Sequence, residues 1–117
     1  MRSFILAYAI AASIPAAGAR AADYAPLDCR MAEGPALSAI CSSYALGQAE
    51  ARMATLYAVA TSLVPMGQRG DLVDAQRAWL AERNLCGDDT VCLRDAYTRR
   101  IRQLDAVITG VASRGPY

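Results

Sequence analysis

Four cysteines, at positions 29, 41, 86 and 92, constrain this chain more than any other residues in it. They fall into two sequence-local pairs, and no histidine accompanies them. Behind an export leader, an even cysteine count in a short chain reads as a disulfide framework. Four cysteines allow three connectivities, and proximity along the chain favours Cys29–Cys41 and Cys86–Cys92. Zinc prefers cysteine pairs two to four residues apart, often with histidine. The intervals here are eleven and five residues. Neither a metal nor another cofactor is expected.

The leader is legible at the start of the chain. Met1-Arg2-Ser3 is a short basic stretch, and Phe4 to Ile14 is apolar except for Ser13. Small residues around Ala17, Ala19 and Ala21 fit a signal-peptidase site, with cleavage expected after Ala21 or Ala22. The apolar run is about 11 residues, whereas a transmembrane helix needs about 20, so stable insertion after cleavage is not expected. The expected division is therefore a signal peptide over 1–22 and one helical domain over 23–117, facing the periplasm or the exterior.

Charge narrows the partners. Loss of residues 1–22 removes Arg2 and Arg20, leaving ten arginines against the 11 acids of the chain. A near-neutral domain is a poor bulk partner for nucleic acid. Catalysis is also unexpected. Histidine is absent, and the proposed pairing leaves no free thiol.

Apolar spacing is helical throughout. Pro35 can open a short helix to about Ser42, with Leu37, Ile40 and Cys41 on one side. A second helix is expected over about Ser43 to Val64, with the stripe Leu46, Ala49, Met53, Leu56, Tyr57, Ala60 and Leu63. Pro65, Gly67 and Gly70 predict a loop, and Asp71 the cap of a third helix ending near Leu85. Gly87-Asp88-Asp89 predicts a turn. Asp89 or Thr90 would cap a fourth helix to about Val111, striped by Val91, Leu93, Ala96, Tyr97, Ile101, Leu104 and Ile108. The fold class is all-α, a small disulfide-stapled bundle of three to four helices.

Four segments make the pattern more specific. They read C-x2-A-x7-I-C from Cys29 to Cys41, then Leu46, Glu50, Met53 and Tyr57 at three- and four-residue steps. Gln76, Trp79, Leu80, Arg83 and Cys86 follow as Q-x2-W-L-x2-R-x2-C. Cys92, Leu93, Tyr97, Arg100, Ile101 and Leu104 complete it as C-L-x3-Y-x2-R-I-x2-L. This pattern resembles the LprI-type lysozyme-inhibitor domain, a family of small exported bacterial proteins. The resemblance spans Cys29 to Leu104. It departs at Leu37, where the family usually carries glutamate, and at Glu50, where it usually carries aspartate. It implies inhibition of lysozyme by blocking the catalytic cleft. The alternative is a module that binds or assembles another envelope protein without inhibiting lysozyme.

Glu50, Tyr57, Gln76, Trp79, Leu80, Arg83, Tyr97 and Arg100 are expected to serve structure. Gln76, Trp79 and Arg83 share a helix face. Trp79 reads as a core anchor, and Glu50 as the partner of Arg83 or Arg100 across a helix interface. Arg94, Arg99, Arg100 and Arg102 read as a solvated basic face. The candidate partner contacts are Ser42 and Ser43 beside Cys41, Arg69 in the expected Pro65–Gly70 loop, and Asp88 and Asp89 in the stapled turn.

Overall fold

The computed structural model describes residues 27–115. The expected signal peptide, residues 1–22, lies outside the described residues. Four helices make up the fold: α1 Pro35–Ser42, α2 Tyr44–Leu63, α3 Met66–Leu85 and α4 Thr90–Ala112. No strand occurs among the described residues.

Local chemistry sets most boundaries. Gly34 adopts φ 86°, a region open to glycine, and Pro35 then occupies the first helical position. Ser43 separates α1 from α2. Its backbone N–H returns to the Ile40 carbonyl, and its hydroxyl accepts from the Leu46 N–H at 3.3 Å. Asp89 caps α4 by accepting from the N–H groups of Val91 and Cys92, both at 3.0 Å. Gly87, at φ 57°, makes the turn before it.

The start of α3 corrects the expected loop. Pro65 is its N-cap, and Gly67, Gly70 and Asp71 all lie within the helix. Glycine costs a helix interior about 1 kcal/mol relative to alanine. Tertiary contacts outweigh that cost here. Val64 is buried and anchors the two-residue connection between α2 and α3. Arg69 reaches back one helix, its Nε donating to the Thr61 carbonyl at 2.8 Å. That bond satisfies a carbonyl in the last turn of α2.

Interhelical pairs give the directions. Thr61 meets Arg69, Met53 meets Gln76 and Glu50 meets Arg83, so α2 and α3 are antiparallel. Gln76 meets Arg100 and Arg83 meets Tyr97, so α3 and α4 are antiparallel as well. Consequently α2 and α4 run parallel, and they form the most extensive interface in the bundle. The short α1 packs on all three.

Ile40, Met53, Leu93, Tyr97 and Leu104 are the largest fully buried side chains. Each such burial stabilises the fold by roughly 2 kcal/mol before entropy is counted. Two expected stripe members fall outside the core. Leu63 and Val91 are both largely exposed.

Both disulfides form as Cys29–Cys41 and Cys86–Cys92, with Cα separations of 5.7 and 5.6 Å. Cys41 sits just before α2, and the second bridge joins the end of α3 to the start of α4. Because α2 and α4 are parallel, the two bridges occupy the same end of the bundle. A surface groove there brings Ser43 and Ala45 beside Thr90 and Arg94.

Candidate functional site

Two features stand out: a buried polar centre between the long helices, and the doubly bridged end.

Glu50 from α2, Arg83 from α3 and Tyr97 from α4 converge in the interior, each nearly inaccessible. Arg83 Nη1 donates to Glu50 Oε2 at 3.2 Å and to the Tyr97 hydroxyl at 3.3 Å. The Tyr97 hydroxyl donates to the same Glu50 oxygen. Arg83 Nε and Nη2 donate to Asn84 Oδ1 at 3.2 and 3.0 Å. Trp79 frames the cluster. Its ring meets Tyr97 edge-on at 5.3 Å, and the Arg83 guanidinium lies 5.5 Å from its centroid. Its indole N–H donates to the Ala96 carbonyl at 3.1 Å.

A second branch runs beside the first. Arg100 Nε donates to Gln76 Oε1 at 2.9 Å, and Gln76 Nε2 approaches the Met53 sulfur at 3.2 Å. Arg100 Nη1 donates to Gln103 Oε1 at 3.2 Å. Nη2 is buried without a hydrogen-bond partner among the described residues. Arg100 is thus an interior residue, while Arg94, Arg99 and Arg102 on the same helix are exposed. Arg83, and not Arg100, is the arginine ion-paired with Glu50.

The electrostatics follow from burial. Burial pushes the Tyr97 phenol well above the usual tyrosine range, and the adjacent Glu50 carboxylate pushes it further. Burial also lowers Arg100, with Tyr57 opposing the shift. A carboxylate held by a guanidinium and a phenol in the interior ties three helices together. A general acid, by contrast, must reach a substrate proton. Among the described residues no group of three or more His, Cys, Asp or Glu is placed to hold a metal.

The bridged end presents a different surface. Ser42 donates its hydroxyl to the Ser38 carbonyl at 2.8 Å, and Ser43 and Asp89 serve as helix caps. Arg69 sits at the opposite end, occupied with Thr61. Of the five candidate contacts, Asp88 alone has no hydrogen bond or ion pair within the described residues. The bridged end also carries two large exposed apolar side chains, Leu85, which the sequence reading placed on no face, and Val91, which it placed on the buried stripe of α4. Leu85 is 87% exposed and Val91 54% exposed, one on each side of the Cys86–Cys92 bridge. The signal was present in the helical period. Leu85 lies nine residues after Gln76 and Val91 nine before Arg100, so each points away from its helix's buried face.

These features define the class: a small all-α domain with two local disulfides, a buried ionic lock and an exposed, disulfide-bridged tip. A family model described as "Lysozyme inhibitor LprI" matches residues 29–104. The chain belongs to that family. No curated protein and no solved structure was found to match it.

Proposed function

We propose that the protein is exported, loses residues 1–22, and acts as a proteinaceous lysozyme inhibitor that blocks the enzyme's cleft. The family match carries this reading. It runs from the first cysteine to Leu104 and so includes α1, α2, α3 and the first two thirds of α4. The two disulfides and the apolar-then-small leader support a periplasmic or secreted location.

The physical basis is steric. Lysozyme cleaves glycan between two carboxyl groups in an open cleft. Occupying that cleft with a stiff protein element excludes substrate and requires no chemistry from the inhibitor. Disulfide closure orders such an element before binding, which reduces the entropic cost of association. Glu50, locked to Arg83 and Tyr97, maintains helix register in this scheme and touches no substrate.

The test is a turbidity assay of cell-wall lysis with purified residues 23–117, oxidised, against lysozymes of several types. Dose-dependent slowing of at least one type is expected. Unchanged lysis by every type would refute the inhibitor reading.

A further inference from the structure

We propose that the docking element is the apolar tip formed by Leu85 and Val91 around the Cys86–Cys92 bridge, and that it seats in the cleft of a basic lysozyme. The proposal rests on the inhibitor reading and assigns it a contact surface and a partner charge.

Leu85 is 87% exposed, more than any other large apolar residue described. Val91 adds a second apolar group just across the bridge. Nothing in the fold requires either residue to be apolar, since both face away from the core. Their setting is rigid. Leu85 ends α3, Asp89 caps α4, and the disulfide closes the four-residue connection between the helices. The bridge and the cap therefore order the tip before contact, as an element that enters a cleft requires.

Charge selects the partner. Asp88 and Asp89 lie within the turn, and Asp95 follows one turn into α4. Among the described residues Arg94 is the single nearby exposed cation without an ion pair, Arg99 being paired with Glu82, so the tip is acidic on balance. Asp88 is exposed and uncommitted, and it sits beside the apolar pair. A third carboxylate would be repelled by the two catalytic carboxyl groups of the cleft. Leu85 and Val91 therefore enter the cleft, and Asp88 meets cations on its rim. An acidic tip accelerates encounter with a basic enzyme and makes that encounter sensitive to salt.

The experiment measures both lysis inhibition and direct binding to a basic lysozyme, using oxidised residues 23–117. Leu85→Asp and Val91→Asp should each weaken binding by about thirtyfold or more, the range of a central interface residue. Asp88→Arg should slow association and flatten its dependence on salt. Met66→Asp, at an exposed apolar site at the opposite end, should leave binding unchanged. Circular dichroism and thiol titration verify that each variant is folded and bridged. If the wild-type domain inhibits lysis and Leu85→Asp inhibits equally well, the tip is overturned while the inhibitor function stands. If the wild-type domain neither binds nor inhibits any lysozyme, the function falls and the partner assignment falls with it.

Discussion

Replacing Glu50 with glutamine isolates the ionic part of the buried lock. The side chain keeps its shape and one oxygen, but Arg83 loses its counter-charge. Glu50 and Arg83 are each about 95% or more buried, and their contact is 3.2 Å. Removing one member of such a pair costs about 3–5 kcal/mol, because the remaining charge stays in the interior. The surviving amide oxygen can still accept from Tyr97 or Arg83, so the lower end of that range, about 3 kcal/mol, is expected. Small domains have only about 5–15 kcal/mol of net stability. The loss should lower the melting temperature by about 12–24 °C in a domain of this size. Urea unfolding with intact disulfides, followed by the fluorescence of the single tryptophan, Trp79, measures it directly. The control is the triple variant Glu50→Leu, Arg83→Met, Tyr97→Phe, which removes both charges and the phenol together. Apolar replacement of a complete buried pair is often neutral or stabilising, so the triple variant should be more stable than Glu50→Gln alone. A cost below about 1 kcal/mol for Glu50→Gln, or a triple variant weaker than the single one, would show that the desolvation reasoning fails here.

Other expectations follow from the same geometry. Gly67→Ala and Gly70→Ala should each stabilise the fold by about 0.5–1 kcal/mol in urea unfolding, since both lie inside α3 with open space around an added Cβ. Gly87→Ala should destabilise by about 1 kcal/mol, because φ there is +57°. Tyr97 is raised in the folded state, so its contribution is complete below the unfolded tyrosine value near 10 and fades as pH rises through the higher folded value. Stability should thus fall above about pH 10, and the ionisation of Tyr97, followed by absorbance near 295 nm, should accompany unfolding; Tyr97→Phe should reduce that alkaline loss of stability. Removing the Cys86–Cys92 bridge by double alanine substitution should cost about 2 kcal/mol, and removing Cys29–Cys41 about 3 kcal/mol, as their six- and twelve-residue separations imply. Equal costs far above these values would mean that the bridges act on the native packing.

Where a boundary was set by local chemistry, the chain was readable. Pro35, Ser43 and Asp89 mark the starts of α1, α2 and α4 because proline, serine and aspartate satisfy or forgo the free N–H groups of a first turn. The start of α3 was not readable, because its cause is remote. Gly67 and Gly70 weaken the local preference, and the burial of Val64 with the reach of Arg69 to Thr61 overrides it. The loop expected around Arg69 is replaced by the first turns of α3 for that reason. The buried centre was half readable. Helical period places Gln76, Trp79 and Arg83 on one face, but the choice between Arg83 and Arg100 as partner of Glu50 depends on how α3 and α4 are rotated against α2. Hydrophobicity misled at Leu63 and Val91. Apolar identity suggested the core, although the helical period sets Val91, nine residues before Arg100, on the far side of α4.

The two disulfides are both local, one joining the entry segment to the end of α1 and the other joining α3 to α4. Neither spans the Val64–Pro65 connection. A single proteolytic cut there would yield two fragments with no covalent tie between them, each keeping its own bridge. Their reunion would depend on the Glu50–Arg83 pair and the apolar seams of α2. The molecule is, in that sense, a pair of hairpins that recognise one another, and fragments made separately should reassemble into the native bundle.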